Sequence, residues 1–206
     1  MSKVIVRDST TEEKILAAAK NVFIRQGMMG ARMQDIADEA GINKALLHYY
    51  FRNKEQLFDV IFMGAVSQLF PRIRMIFEAD GPLFEMIEKF CEDYIEIIAA
   101  NPYLPLFMFN EISRDPVEFM KKINGAVGFP RPELFLQKIE REIKKGTIKK
   151  ISPMQLLLNL LSMCIFPFIA KPLILINLQL DEMQFRSVME QRKKEIPRFI
   201  IDSIKK

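Results

Sequence analysis

Between Met33 and Leu57 the chain reads MQDIADEAGINKALLHYYFRNKEQL, and a lysine, a histidine and two tyrosines crowd into one short helical pattern there. Lys44, Ala45, His48 and Tyr49 recur at three- and four-residue spacings, which share a helix face. Lysine only donates hydrogen bonds, imidazole donates or accepts according to its tautomer, and a phenol does both. Exposing such a face is wasteful in a monomeric globular protein. It fits a major groove about 12 Å wide, which admits one α-helix.

The rest of the reactive inventory is thin. His48 is the only histidine, so a zinc site or a Ser-His-Asp arrangement has almost nothing to be built from. Cys91 and Cys164 lie far apart in sequence, without a thiol at metal-ligand or redox spacing, and read as two small buried hydrophobes. There is no glycine-rich loop to cradle phosphates and no paired metal ligands. The expectation is a chain that is not an enzyme, with no cofactor and no metal. A net charge of +4 is compatible with a nucleic-acid partner without demonstrating one, and 50% hydrophobic residues supply ample core.

The elements that must position the face are helical from end to end, with no strict alternation and no hairpin signal. Thr10 and Glu13 read as a capping box opening a first helix, with Ile15, Leu16, Ala19, Val22 and Phe23 inside and Gly27 at its end. Two short helices follow, about 33–40 and 44–51. Gly41 makes the sharp turn between them in a left-handed conformation that costs glycine nothing. Ile36, Ala37 and Ala40 point inward from the first, Leu47 and Phe51 from the second, and Ile42 fills the turn. This is a helix-turn-helix arrangement. The pattern alone still leaves an ordinary helical hairpin open.

Glu55 opens a longer helix expected to reach Phe70, where Pro71 disturbs it. Further helices are expected from Pro82 to Ala100, from an Asn101 cap with Pro102 in the first turn, across RPELFLQKIEREIKKG to Gly146, and from about Asp181 to Ile204, with a kink at Pro197. Residues 151–170 carry no charge and match the roughly 20 residues that span a bilayer. Ser152, Gln155, Asn159 and Ser162 nevertheless draw a polar stripe along them, as in a buried helix of a soluble protein. The opening MSKVIVRDS has no signal-peptide pattern, so a cytoplasmic protein with no membrane partner is expected. Lys3 and Arg7 sit in a start expected to be a loose tail.

From Thr11 to Leu57, through ILAAAKNVFIRQG and then MQDIADEAGINKALLHYYFRNKEQLF, the sequence resembles the tetracycline repressor (TetR) family of bacterial transcription regulators. The match covers about a quarter of the chain. It implies an all-α protein with a three-helix DNA-binding domain at 9–57 and a larger effector-binding and dimerisation domain at 58–206. The implied function is a homodimeric repressor on a palindromic double-stranded DNA operator, released by a small hydrophobic effector. An activator or a ligand-independent regulator of the same fold is the alternative.

Carried over by position, Gln34 reaches a base or phosphate, and Lys44, Ala45, Leu46 and His48 occupy base-reading positions. Tyr49 and Tyr50 stand where the family touches phosphate and sugar, and Lys54 where it grips a phosphate. Lysine can donate to guanine O6 and N7, and alanine or leucine can pack on a thymine methyl. The chain departs from the family in three places. Arg32 and Met33 replace a threonine cap, with Arg32 offered to a phosphate instead; Leu46 replaces a frequent threonine; and His48 replaces a frequent tyrosine.

For the second domain, a phenylalanine- and methionine-rich composition suggests an adaptable apolar pocket around Phe84, Phe107, Met108, Glu111, Met163 and Phe166. Glu92, Asp93, Glu96 and Glu111 are expected on a solvated face, with an inward turn to meet a cation as the alternative. The last long helices, as the family uses them, suggest a dimer interface through Leu157, Leu161, Phe185, Met189, Ile196 and Ile200. Val188, Phe199 and Ile204 share the broad apolar side of the final helix.

Overall fold

The computed structural model describes residues 9–206, the side chains of Asn110 and Arg114 aside. These residues form eleven α-helices, and no strand occurs among them. The chain divides into two compact units between Ala65 and Val66. That point lies inside α4 (Lys54–Glu78), beyond the expected 57/58 boundary. The reason is packing: Phe58, in the second turn of α4, sets its ring edge-on to Phe23 of α1, with centroids 5.0 Å apart.

In the first unit α1 (Ser9–Gly30) buries Ile15, Ala18, Ala19, Val22 and Phe23, while Leu16 is only half-buried. Regular helix breaks at Gly27, whose φ is 67° and ψ 169°. Ser9 is already helical, so Thr10 belongs to the first turn and is not the cap. Helix α2 (Met33–Ala40) packs across α1 and buries Ile36 and Ala37. Arg25 and Asn21 of α1 both donate to Glu39, the Arg25–Glu39 pair at 2.7 Å, which fixes the far end of α2. The guanidinium hydrogen bond holds the Glu39 carboxyl below its ordinary range.

The second unit is centred on α5 (Leu83–Ala100), which packs against α8 (Glu133–Lys145), α9 (Pro153–Ile169) and α11 (Glu182–Ile204). Ten of its side chains are buried. Phe90 is 0% exposed and stacks on Phe77 and Tyr94, and Phe77 also stacks on Phe135. Cys91 and Cys164, distant in sequence, meet across α5 and α9 with their sulfurs 3.9 Å apart, both buried and free. Asp93, expected on the surface, is buried at 7% exposure and held by Lys89 at 2.9 Å.

Several helix boundaries differ from the sequence reading. Helix α4 continues through Pro71, because Leu69, Phe70, Ile73, Ile76 and Phe77 continue its buried spacing and packing outweighs the one lost N–H. Asn101 ends α5 and does not open the next helix; α6 (Leu104–Arg114) starts later, with Pro105 in its first turn. Two helices were not anticipated. Helix α7 (Pro116–Ala126) is capped by Asp115, which accepts from the Glu118 amide at 2.9 Å. Helix α10 (Lys171–Asn177) bends away from α9 by 68°. Helix α11 opens on a capping box between Asp181 and Gln184 and continues through Pro197.

Candidate nucleic-acid interface

The turn between α2 and α3 (Lys44–Tyr50) is built by Gly41, at φ 66° and ψ 32°. Its amide bonds to the Asp38 carbonyl at 3.1 Å and the Ile42 amide to that of Ala37 at 3.0 Å, satisfying two carbonyls that the helix end would orphan. An L side chain resists that conformation, which is why glycine stands there. Asn43 then caps α3 by accepting from the Leu46 amide at 2.8 Å. Leu47, at 0% exposure, and Phe51 anchor the inner side of α3 in the core.

Anchored in this way, α3 presents Lys44, Ala45, His48 and Tyr49 to solvent on one side. Leu46 is half-buried on its flank. Tyr50 departs from the expected set: its side chain is 4% exposed and sits in the core, edge-on to Tyr49 at 5.4 Å, because it follows the inward-facing Leu47 by three residues. His48 Nδ1 lies 3.1 Å from the Arg52 carbonyl oxygen. A carbonyl only accepts, so Nδ1 carries the proton in that bond and Nε2 is left as an acceptor in the neutral ring.

Lys54 and Arg32 are the further cations of the expected set. Lys54 donates to the carbonyls of Ala31 at 3.2 Å and Met29 at 3.4 Å, tying the start of α4 to the chain entering α2. An ammonium has three hydrogens, so this geometry leaves one for another acceptor. Arg32 is the N-cap of α2 and forms no side-chain cap, since a guanidinium cannot accept a hydrogen bond. Asp35 accepts from the Arg32 amide at 3.3 Å instead, and the first-turn amides of α2 are left without a side-chain acceptor from Arg32. Gln34 is exposed, with its amide held by Asp38 at 2.8 Å. Arg52, exposed beside His48, was not singled out from sequence; its place after the aromatic run was the available signal.

The expected dimer residues are placed differently. Leu157, Phe185, Met189, Ile196 and Ile200 are at most 5% exposed and belong to the core of their own protomer, where α9 and α11 pack on α5; Leu161 is half-buried. Their helices turn other apolar residues outward: Leu158, Phe166 and Ile169 on α9, Val188 and Phe199 on α11. The heptad-like pattern of α11 could not show which of its two apolar sides meets α5.

The expected pocket set is likewise dispersed. Phe107 is buried, Phe84, Met108, Glu111 and Met163 are half-buried, and Phe166 is 59% exposed on the outer side of α9. None of the six lines the open cleft of about 760 Å³ beside α4, α7 and α8, whose walls include Arg74, Glu78, Met120, Phe129, Arg131 and Glu133. Arg74 braces that cleft by donating to the carbonyls of Val127 and Gly128 at 2.5 and 3.0 Å. No cluster of three or more His, Cys, Asp or Glu side chains with metal-binding geometry occurs among the described residues.

Residues 15–61 match the family model described as bacterial regulatory proteins, tetR family. The transcriptional regulator RutR of Escherichia coli K12 is 31% identical over 107 residues, 52% of this chain and 43% of RutR. The transcriptional repressor KstR2 of Mycobacterium tuberculosis is 28% identical over 88 residues, 43% of this chain and 44% of KstR2. The sequence matches thus span less than half the length of these curated relatives. In structure the likeness extends further. The ketosteroid transcriptional regulator KstR2 superposes with a TM-score of 0.70 over 97% of both chains at 16% identity. A mutant of HlyIIR with an internal segment replaced by a linker gives 0.62 over 95% of this chain and 97% of its own at 22% identity. At such identities the likeness shows the fold.

Proposed function

We propose, for a chain that belongs to the tetR family of bacterial regulatory proteins and is a DNA-binding transcriptional regulator, that it acts as a homodimeric repressor on a palindromic operator and is released by a small-molecule effector. The observation that carries the DNA reading is α3 itself. Its inner side is locked by Leu47 and the Asn43 cap, and its outer side holds Lys44, Ala45, His48 and Tyr49 in the open. Lys44 donates to guanine O6 or N7, Ala45 packs on a thymine methyl, and the Nε2 of neutral His48 accepts from an exocyclic amine. Lys54, Arg32 and the first-turn amides of α2 address phosphates and thereby fix register, with Gln34 at the edge of the same surface.

One seven-residue helix buries little, so affinity requires two half-sites. The outward apolar side chains Leu158, Phe166, Ile169, Val188 and Phe199 support pairing of α9 and α11 with a second copy, in place of the buried set expected from sequence. The 760 Å³ cleft is of ligand size, with Met120 and Phe129 as an apolar wall and Arg74 and Arg131 as polar anchors. An effector that binds one spacing of the recognition helices better than the other shifts the population away from the DNA-competent dimer. Anisotropy titration of duplex DNA at several salt concentrations tests the reading. The logarithm of the binding constant should fall linearly with the logarithm of salt. Absence of any salt-dependent binding would overturn it.

A further inference from the structure

Six lysines meet on one surface of the second unit. Helix α8 ends on Lys144 and Lys145, Gly146 turns the chain at φ 77°, and Lys149 and Lys150 complete the segment KKGTIKK. The end of α11 lies alongside. Ile148 and Lys205 form an antiparallel bridge, the Lys149 amide donates to the Ile204 carbonyl at 2.7 Å, and the Lys149 ammonium donates to that of Ser203 at 3.1 Å. Lys206 folds back over the turn, its Nζ 3.8 Å from where a Cβ at Gly146 would sit. Ile148 and Ile204 are buried and pin both segments to the core, which leaves all six lysines exposed.

Local partners absorb little of this charge. Lys145 pairs with Glu142 at 3.0 Å, but the ammonium groups of Lys144, Lys150, Lys205 and Lys206 have no partner among the described residues. Asp202, the acid before this end of α11, faces Arg198 at 3.9 Å. The ends of α8 and α11 each carry about half a negative charge, so together they offset about one lysine. Residues 144–150 and 203–206 hold no acid, and with the whole chain at +4 the remainder sums to −2. Residues 9–65, which contain α3, hold seven basic and seven acidic residues. The positive surplus of the chain therefore lies in this patch and not in the unit that carries α3.

We propose that the patch is a second, sequence-independent contact for the phosphate backbone of duplex DNA. It adds to the recognition face of α3 and requires neither the dimer nor the effector. An ammonium is a point charge without a fork, suited to a backbone that carries about one negative charge per 1.7 Å of axis. A protein partner fits less well: interfaces are depleted in lysine and built on an apolar centre, and the only apolar residues of the two segments, Ile148 and Ile204, are buried. Neither segment holds an aromatic ring on which a single strand could stack its bases. Nor does either expose an apolar side chain to insert into a bilayer.

Anisotropy titrations of the full chain on a duplex of arbitrary sequence, over a range of salt, test the patch. Lys144→Gln/Lys150→Gln/Lys205→Gln/Lys206→Gln removes the four unpaired ammonium groups. Arg72→Gln/Lys121→Gln/Arg186→Gln/Lys194→Gln removes the same charge from exposed positions scattered over the second unit. Circular dichroism checks that both keep wild-type helicity. Each phosphate contact contributes about 0.9 to the slope of log K against log salt, so the patch variant should be shallower by about 2 to 4 per chain, with the scattered variant close to wild type. Equal losses in both variants would reduce the effect to net charge and overturn the patch. An unchanged slope in the patch variant beside a shallower one in Lys54→Gln would overturn it and leave the α3 reading intact. A wild type without salt-dependent DNA binding would overturn both. Co-flotation of the wild type with phosphatidylcholine–phosphatidylglycerol vesicles, lost in the patch variant while its DNA slope is unchanged, would give the lysines to lipid and overturn the DNA contact.

Discussion

At Lys54 fold and proposed function meet, because the ammonium that ties α4 to the chain entering α2 is also the one proposed to grip a phosphate. Replacing it by glutamine removes two hydrogen bonds, at 3.2 and 3.4 Å, to the carbonyls of Ala31 and Met29. These acceptors are solvated in part, so the loss of stability should be small, about 1 kcal/mol. The effect on DNA is separable. Each phosphate contact contributes about 0.9 to the slope of log K against log salt, so a dimer that loses two should have a slope shallower by about 1.8. Between about 50 and 200 mM salt the advantage of the wild type should therefore shrink roughly ten-fold. Anisotropy titrations on a duplex of arbitrary sequence suffice, since phosphates carry no sequence information. A lowered melting temperature with an unchanged salt slope would show that Lys54 acts only as a tie between α4 and the start of α2.

Further outcomes follow from other parts of the molecule. Lys44→Ala should relax base preference at one position per half-site, by about 1–3 kcal/mol in competition against the mismatched duplex, while His48→Ala should do so at a neighbouring position. Phe90→Ala removes a ring at 0% exposure that stacks on Phe77 and Tyr94, and should destabilise the second unit by about 3–5 kcal/mol in denaturant unfolding. The Glu142 carboxyl is held below its ordinary range, first by the Lys145 ammonium at 3.0 Å and then by Thr147. Its contribution to stability is therefore complete above the usual glutamate value of about 4.3 and lost as pH falls through the folded value, so Glu142→Gln should flatten the acid side of the stability–pH curve.

The helix-turn-helix unit is legible because local chemistry dictates it. The limits of α2, the glycine turn and the inward Leu47 and Phe51 all follow from spacings of a few residues. For Tyr50 the resemblance implies a phosphate contact and inward packing is the alternative; the side chain is buried, because on a short helix one residue of rotation separates surface from core. In the second unit the helical class was clear, but faces were not. Phe185, Met189 and Ile196 have the spacing of an interface and of a core alike, and only the position of α5 decides between them. Helix α7 announced itself through Asp115, Pro116 and Glu118, a cap signal obscured by the surrounding prolines. Helix α10 had no polar face for periodicity to detect. The meeting of Cys91 with Cys164 and the Arg25–Glu39 clasp depend on tertiary packing, which spacing along the chain does not encode.

The most direct test is selection of the purified protein against a randomised duplex library, sequenced after binding at low and moderate salt. An enriched palindrome with half-sites about one helical turn apart, or a multiple of it, is the result the recognition face of α3 and a two-fold dimer require. Salt-sensitive binding without any enriched sequence would contradict base reading by Lys44, Ala45 and His48.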